Sequence, residues 1–160
     1  MHFRTQHRYD ADPARVFAML TDPGFLDGMF AGQPGMTHQV EVSGTRTVLR
    51  VDTPAPHQAA RFTGDTLHVT LDLTWAAQPA PDGTRTGPMS VSVAKVPAEL
   101  SGTATIAPEG AETTVTYEGE FAVRIPLIGR QLEQTAAPYV TRVLDVQQEQ
   151  GRAWLASHNA

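Results

Sequence analysis

The most constraining feature of this sequence is a change in hydrophobic period near Pro126. Between Met36 and Val123, apolar residues recur mostly at every second position, which is the spacing of strands with one buried face. After Pro126 they recur every three or four residues, which is the spacing of an amphipathic helix. The chain is therefore predicted to combine a large sheet with one long C-terminal helix, from about Leu127 to Ser157.

Turn sequences divide the extended region into separate strands. Ser43-Gly44, Pro81-Asp82-Gly83 and Pro108-Glu109-Gly110 interrupt the alternation with residues that favour tight turns. A further alternation, from His2 to Tyr9, predicts a strand at the N-terminus. We expect about six to seven antiparallel strands in a meander.

Two short helices are predicted after the first strand. Asp12-Pro13 and Asp22-Pro23 each place a capping carboxylate before a proline, and proline fits the first position of a helix. Apolar residues follow both signals at helical spacing. In the long C-terminal helix, Pro138 removes one backbone hydrogen bond and predicts a kink near Gln134.

Packing of these elements predicts an α+β fold with an internal space. A meandering sheet with one dry face has to cover that face, and the C-terminal helix is the only long amphipathic element available. A strongly curved sheet around one helix leaves a gap between them. The two short helices after the first strand are placed to close one end of that gap.

Composition narrows the class of protein. A length of 160 residues fits a single domain spanning residues 1–160, and a net charge of −5 argues against a nucleic-acid protein. The sequence has no cysteine, no apolar run of membrane-spanning length and no visible secretory signal. We therefore expect a cytoplasmic protein without an integral membrane segment, a disulfide or a thiolate site.

The histidines show no local metal-binding spacing, so we expect no metal and no cofactor. None of the six forms a His-x-His pair on a strand or a His-x-x-x-His pair on a helix. His7 lies on the predicted inner face of the first strand. It is either a core residue bonded to the backbone or, as the candidate catalytic residue, a proton donor or polar anchor for a ligand.

Aromatic hydroxyls and arginines leave further alternatives open. Tyr117 and Tyr139 are predicted on the inward faces of the last strand and the last helix. Each either packs in the core or donates a hydrogen bond from its hydroxyl to a ligand. Thr135 stands one turn before Tyr139 and could add a further hydroxyl. Arg61 and Arg124 are either solvated or paired with an acidic group of a ligand.

The order of elements resembles the helix-grip fold of the START-like superfamily, and more closely a bacterial family of unknown function within it. That superfamily includes polyketide cyclases and dehydratases, lipid-transfer domains and plant hydrophobic-ligand binders. Pro138 departs from the uninterrupted last helix expected there. The resemblance is carried by residues 3–13 with Val16-Phe17, by residues 20–23 with Phe25-Leu26, by residues 62–67 with Trp75, and by residues 123–129.

The resemblance implies a protein that binds a hydrophobic small molecule, such as a lipid, polyketide or isoprenoid, between sheet and helix. Two alternatives remain: a cyclase or dehydratase acting on a polyketide-like substrate, and an interaction module without a ligand. Self-association as a homodimer is left open. The residues predicted to contact the ligand are His7, Tyr9, Met29, Phe30, Phe62, Leu71, Met89, Val91, Tyr117, Phe121, Leu132, Thr135, Tyr139 and Val143.

Overall fold

Seven antiparallel strands form one open sheet in the computed structural model, which describes residues 1–57 and 59–158. Their order is β1-β7-β6-β5-β4-β3-β2, so β1 pairs with β7 and every other pair is a neighbour in sequence. The predicted meander is thereby confirmed. The strands are β1 (His2–Tyr9), β2 (Thr37–Ser43), β3 (Arg46–Pro54), β4 (Thr66–Thr74), β5 (Arg85–Val93), β6 (Ala98–Glu109) and β7 (Glu112–Val123).

Four helices accompany the sheet among the described residues, and the two predicted after β1 form next to their capping residues. The Asp12 carboxylate accepts a hydrogen bond of 2.8 Å from the Arg15 backbone N–H, and the Asp22 carboxylate accepts one of 3.0 Å from Phe25. The helices are α1 (Pro13–Leu20), α2 (Pro23–Phe30), α3 (Ala60–Thr63) and α4 (Gly129–Ser157). The short α3 was not predicted, because it follows a segment rich in proline and alanine.

The long helix runs continuously through Pro138, and it begins at Gly129 instead of Leu127. The difference arises because Leu127 has a φ of 74°, which lies in the left-handed region and cannot belong to the first turn of an α-helix. The hairpin predicted at Pro108-Glu109-Gly110 is also shifted. Glu109 still pairs with Glu112, so the turn itself is formed by Gly110 and the residue after it.

Replacing Leu127 should stabilise the protein. Its side chain is fully exposed, so it contributes little packing, and its left-handed backbone is unfavourable for leucine. Asparagine tolerates that backbone, and we expect Leu127→Asn to raise the free energy of unfolding by about 0.5 to 1 kcal/mol. Urea unfolding measures the effect, and a loss of stability would show that Leu127 makes contacts that matter.

The core lies at one end of the sheet, where α1, α2 and the C-terminal half of α4 meet it. Its largest fully buried side chains include Trp75, Tyr9, Met19 and Ile106. Phe17 packs edge-on against Trp75 at 6.3 Å between ring centroids. The two short helices therefore close this end, as expected.

Two glycines face each other across the middle of the sheet. Gly102 in β6 pairs with Gly119 in β7, and a Cβ on Gly119 would lie 2.2 Å from the Ser101 carbonyl oxygen. No side chain fits in that distance. The close approach of the two backbones at this point therefore requires glycine.

Candidate functional site

The face of α4 that packs on the sheet differs from the predicted one. The helix packs mainly on β1, β7, α1 and α2. Val140 and Leu144 pack against the core, Leu155 is buried, and a Cβ on Gly151 would lie 2.7 Å from the Tyr9 ring. With Gln147, these residues recur at helical spacing and form the sheet-facing side of α4.

Tyr139 and Val143 were predicted to lie on the buried side of α4, but both side chains are largely exposed. Their exposed fractions are 55% and 51%. They lie on a different side of α4 from Val140 and Leu144, because each successive residue of a helix is rotated by about 100°. The correct side was hard to recognise because glutamine and glycine occupy two of its positions, Gln147 and Gly151.

A pocket of about 310 Å³ lies between α3 and the start of α4. Phe62, Leu132 and Thr135, all predicted to contact a ligand, line it. Apolar and polar groups are mixed in its wall, and the Arg61 guanidinium lies over the Phe62 ring at 4.8 Å from its centroid. The other lining residues are His57, Arg61, Ile128 and Gln131.

The pocket continues into an exposed stripe on α4. Ile128, Leu132 and Thr135 line the pocket, and Tyr139 and Val143 follow at steps of four residues on the same side of the helix. We call these five residues the open stripe. Because α3 belongs to the connection between β3 and β4, the pocket places the beginning of the open stripe next to that connection.

A row of apolar side chains, most of them partly buried, lies on the inner face of the sheet. Leu71 pairs with Val91, Val91 with Leu100, and Leu100 with Phe121, so the row crosses four neighbouring strands. Leu71, Val91 and Phe121 are half-buried, whereas Met89 on β5 is buried. The structure therefore places these four predicted residues on one face and leaves three of them partly accessible.

The two predicted ligand contacts on α2, Met29 and Phe30, lie where this helix packs against β2. Met29 is buried, and the Phe30 ring lies 5.5 Å from the His38 ring, between centroids. His38 Nε2 in turn lies 2.7 Å from the Asp27 carboxylate. These contacts hold α2 against the edge strand.

His7, Tyr9 and Tyr117 form a polar cluster inside the core, away from the pocket. The three side chains are 1%, 1% and 4% exposed. The Tyr9 hydroxyl lies 3.4 Å from His7 Nδ1, the centroids of the His7 and Tyr117 rings are 5.5 Å apart, and Gln147 lies beside Tyr117. His7 Nε2 and Gln147 Oε1 are buried without a partner in the part of the chain that the structure describes.

The environment of His7 makes it a poor general base. Burial lowers the pKa of His7 to about 4; Asp145 opposes this shift, and Arg152 adds to it. Burial also raises the pKa of both tyrosines far above their ordinary value. All these groups are therefore neutral at pH 7. A base with a pKa near 4 is weak, and this one is closed off from solvent.

Neither a metal-binding cluster nor a membrane-spanning helix is found within residues 1–57 and 59–158. No group of three histidine, aspartate or glutamate side chains lies close enough to hold a metal ion there. No helix among these residues has both the length and the apolar character needed to cross a bilayer.

Three residues predicted from the sequence to contact a ligand, Phe62, Leu132 and Thr135, line the pocket. Arg61, which the sequence left between a solvated side chain and a partner for a ligand, lines it as well. His57 and Gln131 were not among the predicted ligand contacts. Neither His57 nor Gln131 stands in a motif, and only the position of α3 beside α4 brings them together.

Solved structures with the same fold come from distant organisms. A protein from Thermus thermophilus superimposes with a TM-score of 0.63 at 21% identity, covering 99% of both chains. The STAR-related lipid transfer protein of Xanthomonas axonopodis gives 0.63 at 18% identity, covering 97% of this chain and 85% of that one. Norcoclaurine synthase from Thalictrum gives 0.62 at 11% identity, covering 100% and 96%.

These similarities establish the fold. The chain has a START-like helix-grip fold, as its sequence indicates. No curated protein matches the sequence. A family model described as "Protein of unknown function (DUF2505)" matches residues 4–155, and the chain therefore belongs to this family.

Proposed function

We propose that this protein binds an apolar small molecule in the groove between the open stripe of α4 and the inner face of the sheet. The observation that carries the proposal is the pocket of about 310 Å³ between α3 and α4. Its volume lies at the lower end of the range for small-molecule sites. Phe62, Ile128 and Leu132 give it an apolar wall, and a few polar groups line the rest.

Exposed apolar surface beyond the pocket supports the same proposal. Tyr139 and Val143 are more than half exposed, and Leu71, Val91 and Phe121 stay partly accessible on the sheet. Removing such surfaces from water is favourable by roughly 25 cal/mol per Å². A ligand lying along α4 would cover them. The resemblance to a protein named for lipid transfer is consistent with this use of the fold.

Binding is favoured over catalysis by the position of His7. A cyclase or dehydratase would need a general acid or base at the ligand. His7, the candidate for that role, is 1% exposed and has a pKa lowered to about 4. The groove residues, in contrast, suit retention of an apolar ligand.

Titration with Nile red, a neutral apolar dye, tests the proposal. We expect the wild-type protein to bind the dye with enhanced fluorescence. The double variant Tyr139→Ser and Val143→Ser should bind it at least fivefold more weakly, because the open stripe loses its apolar surface. Both side chains are exposed, so stability should change little.

Ala156→Ser provides the control for this titration. Ala156 is exposed in the last turns of α4, about 20 Å along the helix axis from Val143 and about 100° around the axis from the open stripe. Its substitution should therefore leave dye binding unchanged. Equal affinity of the double variant and the wild type would contradict the proposed groove.

A further inference from the structure

We propose that the ligand is a single-chain amphiphile with a carboxylate head group, which binds Arg61 at the pocket while its alkyl chain lies along the open stripe. This inference rests on the proposed binding function and names the chemical class of the ligand. Four features carry it: the placement of Arg61, its lack of a carboxylate partner, the polar groups around it, and the apolar track that leads away from it.

Arg61 is an exposed residue at the wall of the pocket, and its guanidinium lies over the neighbouring aromatic ring. Its guanidinium carbon lies 4.8 Å from the centroid of Phe62, and both residues line the same space. A guanidinium stacked on a ring keeps its N–H donors free at the edge of the plane. These donors match the two oxygens of a carboxylate.

Arg61 also lacks an acidic partner of its own. Several other arginines pair with carboxylates, such as Arg46 with Asp72 at 2.7 Å and Arg124 with Glu99 at 3.5 Å. Across residues 1–57 and 59–158, no carboxylate lies within ion-pair distance of Arg61. In a protein with a net charge of −5, an arginine without such a partner beside a pocket is available for an anionic ligand.

Polar side chains near Arg61 in the pocket wall suit a head group. Gln131 and His57 add polar groups to the wall. The nearest acidic residue of the first turns of α4, Glu133, is already engaged, since it accepts a hydrogen bond of 3.3 Å from the Val123 backbone. A carboxylate at Arg61 would therefore not compete with Glu133 for the arginine.

The open stripe provides a track for one alkyl chain. From Leu132 to Val143 it extends about 16 Å along the helix axis at 1.5 Å per residue. Tyr139, between them, is 55% exposed. Because the polar groups lie around the pocket and the stripe continues beyond it at Tyr139 and Val143, the head group and the end of the chain have separate places.

Binding of three probes that share a dodecyl chain tests this inference. Dodecanoate, 1-dodecanol and dodecylammonium are titrated at pH 7.5, below their aggregation concentrations, by displacement of Nile red. We expect dodecanoate to bind at least fivefold more tightly than dodecanol, and dodecylammonium to bind most weakly. Arg61→Gln should remove the preference for dodecanoate and leave the affinity for dodecanol unchanged.

Arg50→Gln is the matched control. Arg50 is an exposed arginine on β3 that does not line the pocket, and its guanidinium lies 3.4 Å from Glu41, so its loss should change no affinity. Equal binding of dodecanoate and dodecanol, or unchanged dodecanoate binding in Arg61→Gln, would overturn the inference while leaving the groove intact. Failure of Nile red and all three probes to bind would overturn the proposed function as well.

Discussion

Lowering the pH from 7 to 4 should cost this protein about 3 kcal/mol of stability through His7 alone. Burial lowers the pKa of His7 from 6.5 to about 4 in the folded protein. The unfolded chain therefore binds a proton below pH 6.5 that the folded protein does not bind until about pH 4. The full stability is present above pH 6.5 and is lost progressively as the pH falls towards 4.

Urea unfolding followed by tryptophan fluorescence at several pH values between 7.5 and 4 measures this loss. The variant His7→Gln has no titrating ring, and the difference between it and the wild type isolates the contribution of His7. His68→Gln is the control, because His68 is about half exposed beside Asp52. If His7→Gln showed the same pH dependence as the wild type, His7 would not be buried in its neutral form.

Placing a methyl group at Gly119 should destabilise the protein by more than about 3 kcal/mol. A Cβ there would lie 2.2 Å from the Ser101 carbonyl oxygen and 2.7 Å from the Gly102 Cα. Both are backbone atoms, so no side-chain rotation relieves the overlap, and the paired strands have to separate. Thermal and urea unfolding of Gly119→Ala measure the change.

Gly28→Ala is the matched control for this substitution. Gly28 lies inside α2, and a Cβ on it would meet no atom within 4 Å. Alanine is the better helix former, so this variant should gain about 0.5 to 1 kcal/mol. A cost below about 1 kcal/mol for Gly119→Ala would show that the strands do not need to approach so closely.

Local chemistry explains why much of the fold could be predicted from the sequence. Asp12 and Asp22 cap their helices through contacts made within three residues, so tertiary structure is not needed to recognise them. The strand alternation is local in the same way, because side chains on a strand point to opposite faces in turn. Leu71 and Val91 were placed correctly for that reason.

The orientation of α4 could not be predicted, because it depends on contacts distant in sequence. Gly151 lies on the sheet-facing side because the ring of Tyr9 and the Met19 side chain occupy the space beside it. Gln147 lies there beside Tyr117. A glycine and a glutamine do not resemble core positions in a hydrophobic pattern, whereas Tyr139 and Val143 do.

The candidate site was predicted only in part for a related reason. The pocket exists because α3, a single helical turn, brings Arg61 and Phe62 to the beginning of α4. Nothing in the spacing of these residues indicates that contact. His7, in contrast, was predicted on the inner face and lies there, but it is enclosed in the core, away from the pocket.

Native mass spectrometry of the protein purified from its own host is the most direct test of ligand binding. We expect a fraction of the protein to carry one bound apolar compound, which organic extraction removes and which binds again when added back to the extracted protein. A protein that carries no compound, and that takes up neither its host's extracted lipids nor Nile red, would contradict the proposed binding.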